Sequence, residues 1–420
     1  MKILHITASM DPKLGGVCQA VRTIIKGLNA YPNVTNEVVS FDNPDASFIH
    51  ENSYQINALG LGKGPWFYNP SYISWLLQNL PQFEVVVLHG LWNYQGYGLI
   101  KALRLLKQPP TDKNNASFST KFFVMPHGML DPYFQKASGR KLKAVRNWIY
   151  WKLIERKVIS KANSLLFTCE AELQLARKTF NLYHPKKEVV VGLGVEEPPV
   201  YKEAMQEAFS GKCPDLNNNP YLLFISRIHE KKGVDLLINA YSKINEFDDA
   251  GKSRNLNQLK TKETRQDVSS PKLVVAGPGL ETPFGQKIKN SALKLQQEKT
   301  TVFFPEMLTG DAKWGAFYGC EAFILPSHQE NFGIAVVEAL ACGKPVLISN
   351  QVNIWTEIAS SKAGIIADDT VKGTEDLLEN WNKLSEKQKT EMGKNARDCY
   401  EKYFAVAPAA HSFLNAVTAE

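Results

Sequence analysis

Strand-like and helix-like segments alternate along the whole chain, and this alternation predicts an α/β protein built from parallel sheets. Two further observations predict two Rossmann-like domains. The chain has 420 residues, which is too long for a single hydrophobic core. A continuous apolar run also restarts at Tyr221–Ser226, directly after the polar stretch Cys213–Pro220. We therefore expect a first domain over residues 1–205, a second domain over residues 215–404, and a terminal apolar-faced helix over residues 405–420.

Short apolar runs with the length of buried strands define the expected sheets. In the first domain the predicted strands are Lys2–Ile6, Val38–Phe41, Val85–Leu88, Phe122–Met125, Ser164–Phe167 and Val189–Val191. In the second domain they are Tyr221–Ser226, Leu273–Ala276, Thr301–Phe304, Ala322–Leu325, Val346–Ile348 and Gly364–Ile366. Open α/β sheets bind ligands at the carboxyl ends of their strands, so the loops after these runs are the candidate sites.

Composition and charge exclude several classes of protein. Apolar content of 44% and charged content of 22% are ordinary for a globular chain. The net charge of +7 is modest, and without a familiar nucleic-acid-binding motif we expect no nucleic-acid partner. Six cysteines without metal-ligand spacing indicate reduced thiols. The sequence opens on a strand, with neither a signal peptide nor an apolar run of about 18 residues, so we expect a cytoplasmic protein.

The most informative segment follows the predicted strand Ala322–Leu325. Glu330 lies in the loop after this strand, Gly333 opens an apolar helix, and Glu338 lies about two turns further on, or roughly 12 Å along the axis. The free N–H groups at the start of that helix suit a phosphate. Two carboxylates at this spacing can contact the two ends of an extended ligand. They are too far apart to clamp one metal ion.

Basic residues follow the strand Tyr221–Ser226. The guanidinium fork of Arg227 and the point charge of Lys232 suit the two phosphates of a nucleoside diphosphate. Gly277 begins a tight Gly-Pro-Gly turn after a neighbouring strand. No strand end carries an Asp-x-Asp motif, which would hold a divalent ion on a diphosphate. We therefore expect side-chain charge to take the place of a metal.

The first domain offers glycines and histidines at its strand ends. Gly15 and Gly16 lie between the first strand and a helix, where the backbone can approach a ligand closely. The pair does not form the GxGxxG fingerprint, which argues against a nicotinamide cofactor. His127 and His89 each follow the carboxyl end of a strand, and we expect both to face the ligand.

Together these residues resemble the two-glutamate signature of retaining glycosyltransferases with the GT-B fold, specifically glycosyltransferase family 4, also called glycosyl transferases group 1. The similarity runs over residues 327–346. It includes Glu330, Phe332, Gly333, Glu338, Ala339, Gly343, Pro345 and Val346. Ser226 departs from the pattern, since the family usually has glycine there. The resemblance implies two Rossmann-like domains with parallel sheets facing a central cleft, and a last helix that packs back on the first domain.

The resemblance also implies a role for each candidate residue. Arg227 and Lys232 neutralise the diphosphate leaving group, and Glu330 and His127 contact the donor sugar. Glu338 accepts hydrogen bonds from the ribose. The residues that line the donor site are Gly15, Gly16, Gly277, Phe332 and Gly333, and His89 is placed on the acceptor side.

The function that the resemblance implies is transfer of a hexose-type sugar, with retention, from a UDP- or GDP-sugar to a glycan or lipid-linked glycan. The expected setting is the biosynthesis of bacterial exopolysaccharide or lipopolysaccharide, without a metal or other cofactor. Two alternatives share the fold: a sugar-nucleotide epimerase, and a synthase that uses a soluble acceptor, as in sucrose or trehalose formation. The nucleotide, the sugar and the linkage stay open.

The basic segment over residues 139–163 bears on where in the cell the protein acts. It contains eight basic residues against the single acid Glu155. Apolar residues at helical spacing are expected to face the core; these are Leu142, Val145, Ile149 and Leu153. The basic and aromatic remainder is either a solvated face or a contact for an anionic bilayer. Because the family commonly uses lipid-linked acceptors, we expect peripheral attachment to the inner face of the plasma membrane.

Overall fold

A computed structural model describes residues 1–50, 52–107, 119–136, 141–249, 271–296 and 302–419. The chain forms two compact units. The first unit comprises Met1–Glu196 and Phe404–Glu420, and the second comprises Glu197–Tyr403. Each unit contains its own parallel sheet with helical connections. The structure thus confirms the predicted α/β fold of two Rossmann-like domains.

The first unit has a parallel sheet of seven described strands in the order β3-β2-β1-β4-β5-β6-β7. These are β1 (Lys2–Ile6), β2 (Thr35–Ser40), β3 (Gln55–Ala58), β4 (Val85–His89), β5 (Lys121–Met125), β6 (Ser164–Phe167) and β7 (Glu188–Val190). Its helices are α1 (Gly16–Leu28), α2 (Ser47–His50), α3 (Ser71–Asn79), α4 (Tyr94–Leu106), α5 (Tyr133–Lys136), α6 (Lys141–Tyr150), α7 (Arg156–Lys161) and α8 (Glu170–Ala176). A π-helical turn, Trp151–Glu155, joins α6 to α7.

The second unit has a parallel sheet of six described strands in the order β10-β9-β8-β11-β12-β13. These are β8 (Tyr221–Ile225), β9 (Lys272–Ala276), β10 (Val302–Phe303), β11 (Ala322–Leu325), β12 (Val346–Ser349) and β13 (Gly364–Ala367). Its helices are α9 (Glu203–Lys212), α10 (Val234–Asp249), α11 (Pro283–Gln296), α12 (Gly310–Gly319), α13 (Ile334–Ala341), α14 (Trp355–Ser360), α15 (Val371–Asn382) and α16 (Glu386–Cys399). The last helix, α17 (Val406–Thr418), belongs to the first unit.

Each predicted strand corresponds to an observed strand, with ends that differ by at most three residues. Thr301, the predicted start of β10, lies outside the described residues. The sequence analysis missed β3, which lies at the edge of the first sheet. Its four residues, Gln-Ile-Asn-Ala, are partly exposed and include two amides. A short strand of this composition carries too little apolar alternation to stand out from a loop.

The observed division between the units falls earlier than the predicted boundary at residues 205–215. Helix α9 packs on α12, and its Met205 and Phe209 are buried. The packing is close, because a Cβ atom on Gly315 would lie 2.0 Å from the carbonyl oxygen of Met205. The polar stretch Cys213–Pro220 is therefore a turn within the second unit, and the chain passes between the units at Glu196 and Glu197.

The described part of the basic segment, residues 141–163, is largely helical, but the prediction of which face is buried was wrong. The four apolar residues expected in the core are exposed, with Leu142 at 88% and Leu153 at 62%. The buried positions are instead Asn147, Tyr150, Trp151 and Glu155. Hydrogen bonds explain this choice, because the Tyr150 hydroxyl donates to Asn93 O at 2.8 Å and Trp151 Nε1 donates to Asn181 O at 3.0 Å. Gly139 and Arg140 lie outside the described residues.

All six cysteines are free thiols. Five of them are buried, and Cys342, which follows α13, is half-buried. Burial raises the pKa of the Cys320 and Cys342 thiols to about 12. No helix in the described ranges combines the length and the apolarity that crossing a bilayer requires.

The contact between α1 and α17 gives a first test of the fold. A Cβ atom on Gly27 would lie 2.6 Å from Ala410 Cβ and 2.9 Å from Val406 Cγ1. Gly27→Ala should therefore lower the free energy of unfolding by about 1–3 kcal/mol through overpacking. The matched control is Gly211→Ala in α9, where a Cβ meets no atom within 4 Å and helix propensity favours alanine by up to about 1 kcal/mol. Urea unfolding that ranks the two variants the other way would contradict the α1–α17 packing.

Candidate functional site

The loop after β8 is held in place by a glycine. Gly233 adopts a φ of 66°, and a Cβ atom there would lie 2.0 Å from the carbonyl oxygen of Pro326, beyond β11. Only glycine combines this conformation with so close an approach. The preceding turn places Arg227 on the surface and buries Lys232, which is 8% exposed. No described carboxylate pairs with Arg227, so its guanidinium is open to an anionic ligand.

Lys232 and Glu330 form an ion pair that joins the loops after β8 and β11. Backbone contacts hold the same two loops together. The Ser327 hydroxyl donates to Lys231 O at 2.9 Å, and His328 N–H donates to the same oxygen, also at 2.9 Å. The structure thus brings together two residues that lie 98 positions apart in sequence, both of which are predicted site residues.

The loop that carries Glu330 is itself fixed by the backbone. Glu330 N–H donates to Gln351 O at 3.0 Å, and Asn353 N–H donates to Glu330 O at 3.0 Å. Phe332 is buried, and Gly333 caps α13 in the left-handed conformation with a φ of 76°. The carboxylate of Glu330 therefore projects from a rigid loop beside a helix N-terminus, as predicted from the sequence.

Glu338 has a partner that the sequence analysis missed. Lys313 on α12 approaches Glu338 Oε1 at 2.6 Å, and both side chains are mostly buried. Burial raises the pKa of Glu338 above its ordinary value, and the ammonium group of Lys313 opposes that rise. The pair holds the carboxylate in one orientation. Lys313 lies 25 residues before Glu338 on a different helix, so no local pattern connects them.

Gly277 acts through close backbone packing. Its φ is 142°, and a Cβ atom would lie 1.9 Å from the carbonyl oxygen of Ser226. Ser226 N–H donates to Ala276 O at 3.1 Å, and Ile228 N–H donates to Pro278 O at 2.8 Å. The Gly-Pro-Gly turn thus supports the backbone on both sides of Arg227. The structure gives Gly277 this supporting position beside the loop after β8.

In the first unit, Gly15 and Gly16 form an open helix start. Gly15 has a φ of 80° and caps α1, both glycines are exposed, and a Cβ atom on either would meet nothing within 4 Å. Open space therefore lies beside the start of α1, where an anion can approach the helix N-terminus. The predicted position of this pair, between the first strand and a helix, is as observed.

His127 and His89 lie together, although in different environments. His127 follows β5 with a φ of 52° and is half-buried. His89 ends β4 and is 3% exposed, so its predicted place on the acceptor side needs correction. It lies beneath His127, with 3.0 Å between His89 Nδ1 and His127 Nε2. The position at a strand end was predictable from sequence, but the depth of the ring was not.

Three further residues support His127 and were missed from sequence. His5 Nδ1 lies 2.9 Å from His89 Nε2, and His5 Nε2 lies 3.1 Å from Asn36 Oδ1. Burial lowers the pKa of His5 and of His127 to about 4, and lowers that of His89 as well. Buried Glu172 accepts hydrogen bonds from the backbone of Gly128 at 2.5 Å and Thr168 at 2.8 Å, which fixes the turn after His127.

Comparison with known proteins gives a family match over part of the chain and a shared fold. Residues 206–398, most of the second unit, match the family described as Glycosyl transferases group 1. A D-inositol 3-phosphate glycosyltransferase of Gordonia bronchialis is 26% identical over 255 residues, which are 58% of this chain and 49% of that protein. The chain thus spans about half the length of this curated relative.

Solved structures share the whole fold at low sequence identity. HepE of Anabaena, solved in complex with UDP-glucose, superposes with a TM-score of 0.67 at 15% identity and covers 100% of both chains. WaaG, a glycosyltransferase involved in lipopolysaccharide biosynthesis, superposes with a TM-score of 0.63 at 15% identity, again over 100% of both chains. The fold of this chain is therefore the two-domain GT-B fold that it shares with these structures.

The Lys313–Glu338 pair predicts a pH-dependent stability. Because burial raises the pKa of Glu338 on folding, its carboxylate lowers the free energy of unfolding progressively as the pH rises above the unfolded-state pKa, and the full cost is present above the folded-state pKa. Lys313 offsets this cost only while the carboxylate is charged. Lys313→Met should lower the free energy of unfolding by about 1–3 kcal/mol at pH 8 and by less at pH 5.

Urea unfolding of this variant at both pH values measures the difference. In the double variant Lys313→Met/Glu338→Gln the carboxylate is absent, so the extra loss at pH 8 should disappear. Equal losses at pH 5 and pH 8 in the single variant would show that Lys313 does not stabilise a charged Glu338.

Proposed function

We propose that this protein is a retaining glycosyltransferase that moves a hexose-type sugar from a nucleoside-diphosphate sugar to a glycan or lipid-linked glycan. The observation that carries the proposal is the convergence of Arg227, Lys232 and Glu330 at the carboxyl edge of one sheet. The match of residues 206–398 to Glycosyl transferases group 1 supports it. The complex of HepE with UDP-glucose supports a nucleotide-sugar donor, as a UDP- or GDP-sugar.

In this proposal the second unit binds the nucleotide. Arg227 is the exposed cation that meets the diphosphate first, and Lys232 turns from Glu330 toward the phosphates when the donor binds. The two cations then stabilise the charge that develops on the leaving oxygen, a preorganised electrostatic role. Glu338, oriented by Lys313, accepts hydrogen bonds from the ribose hydroxyls. Glu330, released from Lys232, contacts the sugar.

The first unit presents the acceptor in this proposal. The open helix start at Gly15 and Gly16 lets the donor phosphates and the acceptor approach the backbone, and His127 contacts the donor sugar. Side-chain cations balance the diphosphate, so the reaction needs no divalent metal. The similarity to WaaG supports a place in the biosynthesis of a surface polysaccharide or lipopolysaccharide.

Because Glu330 pairs with Lys232 and not with Arg227, variants can separate the roles of Arg227 and Glu330. Arg227→Gln should weaken binding of UDP or GDP about tenfold or more, because a charge-assisted hydrogen bond is lost, and should slow transfer about a hundredfold. Glu330→Gln frees Lys232 from its counter-ion. It should therefore spare or tighten nucleotide binding and still slow sugar transfer. Calorimetry and turnover assays, each with and without EDTA, measure both effects.

The matched control is Lys294→Gln, which removes an exposed cation from α11 of the same unit and should change neither quantity. Weaker nucleotide binding in Glu330→Gln would contradict the assignment of this carboxylate to the sugar. Activity that disappears in EDTA would contradict the metal-free mechanism. An inverted anomeric configuration in the product would exclude retention.

We also propose that α6 and the π-helical turn after it, residues 141–155, attach the protein to an anionic membrane surface. Their exposed apolar stripe consists of Leu142, Val145, Trp148, Ile149 and Leu153. Basic residues flank this stripe, and Lys152 Nζ lies 3.7 Å from the centre of the Trp148 ring. A helix with an outward apolar face between lysines and arginines fits the boundary between lipid headgroups and acyl chains. Such a place would bring a lipid-linked acceptor to the enzyme at the cytoplasmic face.

Vesicle flotation tests this proposal. The variant Leu142→Ser/Val145→Ser/Ile149→Ser/Leu153→Ser should float far less with phosphatidylserine vesicles, because the buried apolar area is lost. A charge variant, Lys141→Gln/Lys143→Gln/Arg146→Gln, should lose about 1 kcal/mol of attachment per cation at low salt. The control Leu182→Ser/Val200→Ser changes exposed apolar residues elsewhere. Failure of the wild-type protein to float at low salt would refute the attachment.

A further inference from the structure

A line of polar side chains crosses one face of the sheet in the first unit. Asn36 lies on β2, His5 on β1, His89 at the end of β4 and His127 just beyond β5. These four strands are consecutive neighbours in the sheet. Their register places the side chains of Asn36, His5 and His89 on the same face, since residues two apart in a strand point the same way. His127 follows β5 and joins this line through its contact with His89. The line runs from the sheet interior to its carboxyl edge.

Each member of this line contacts the next through a single pair of atoms. The distances are 3.1 Å from Asn36 Oδ1 to His5 Nε2, 2.9 Å from His5 Nδ1 to His89 Nε2, and 3.0 Å from His89 Nδ1 to His127 Nε2. The rings also stack, with centroids 5.2 Å and 5.3 Å apart. Phe413 from α17 also stacks with His5. The rings therefore have little room to turn.

The contacts couple the tautomers of the three histidines. A neutral imidazole has one N–H donor and one acceptor nitrogen. Each ring-to-ring contact joins an Nδ1 to an Nε2 and holds one hydrogen. The three rings must then all carry the hydrogen on Nε2, or all carry it on Nδ1. Because the Asn36 oxygen only accepts, it selects the Nε2–H form at His5 and, through the contacts, at His89 and His127.

We propose that Asn36, His5 and His89 are positioning residues that hold His127 in its Nε2–H form, so that its Nδ1 lone pair accepts a hydrogen bond from a hydroxyl of the bound sugar. The tautomer follows from the ring contacts together with the orientation of the Asn36 amide, whose oxygen faces His5 Nε2. The sugar hydroxyl rests on the function proposed above. Among the described residues, Nδ1 of His127 has no hydrogen-bond partner, so the lone pair is available.

The charge state agrees with this role. Burial lowers the pKa of His127 to about 4 and lowers the pKa values of His5 and His89 too. All three rings are therefore neutral near pH 7. A phosphate oxygen offers only acceptors, and facing the Nδ1 lone pair it would gain no hydrogen bond. The chain thus makes His127 select a hydroxyl, which belongs to a sugar, over the diphosphate.

Hydrogen-bond couplings measured by NMR test the tautomer directly. In the full-length protein labelled with ¹⁵N-histidine, His127 should carry its proton on Nε2 and show a coupling across the hydrogen bond to unprotonated Nδ1 of His89. A second coupling should join His89 Nε2–H to His5 Nδ1. A proton on Nδ1 of His127, or the absence of both couplings, would overturn the proposal. His127→Gln assigns the signals by removing one set.

Variants at the far end of the line separate positioning from simple packing. Asn36→Leu removes the oxygen that selects the tautomer, so the coupling at His127, three side chains away, should weaken or disappear. Asn36→Asp keeps an acceptor and should preserve it, even if the leucine variant folds poorly. Ser40→Ala on the same strand removes a buried hydroxyl outside the line and should leave the coupling intact. If the Asn36→Leu variant loses stability but its coupling at His127 is unchanged, the line contributes only to packing and the proposal is refuted.

Titration with UDP-glucose, with UDP as the reference, examines the sugar contact. The sugar nucleotide should move the Nδ1 resonance of His127 without protonating it, and UDP alone should leave it in place. If UDP-glucose binds in a calorimeter but does not move Nδ1, the hydroxyl contact is refuted. If it does not bind, that result counts against UDP-glucose as the donor, while the couplings still decide the tautomer.

Discussion

Parallel pairing makes every strand of a sheet end at the same edge, and the candidate site depends on this constraint. In the second unit the loops after β8, β9 and β11 meet at that edge, which is why Arg227, Gly277 and Glu330 come together from distant parts of the chain. In the first unit the same rule places His127 beside the end of β4. The chemistry therefore lies on loops, while the strands below them form the rigid support.

The charged groups at these edges are balanced locally. Lys232 pairs with Glu330, and Lys313 pairs with Glu338, so neither mostly buried carboxylate lacks a counter-ion. A buried charge without such a partner is expensive. Arg227 differs, since it is exposed and has no described carboxylate partner. Such an arrangement favours an anionic ligand that first contacts Arg227 and then competes with Glu330 for Lys232.

The sequence predicted what depends on local pattern. The buried strands could be predicted because their apolar runs are short and bounded. The loop from Glu330 to Gly333 could be predicted because Gly333 marks the start of an apolar helix. The roles of Lys313, His5 and Asn36 depend on contacts between distant segments, which no local pattern encodes. The prediction of which face of the basic segment is buried was wrong. The polar groups of Tyr150 and Trp151 donate hydrogen bonds to backbone carbonyls, and these bonds outweighed the burial of leucines.

The thiols have a practical consequence. Five cysteines are buried and the sixth, Cys342, is half-buried with its pKa raised to about 12, so few thiolates are available to react at neutral pH. A cysteine introduced on each unit, for example in place of Leu182 and of Lys294, both exposed, would be modified selectively by maleimide dyes in the otherwise natural chain. Energy transfer between the two dyes would then measure the separation of the units in solution, with and without nucleotide.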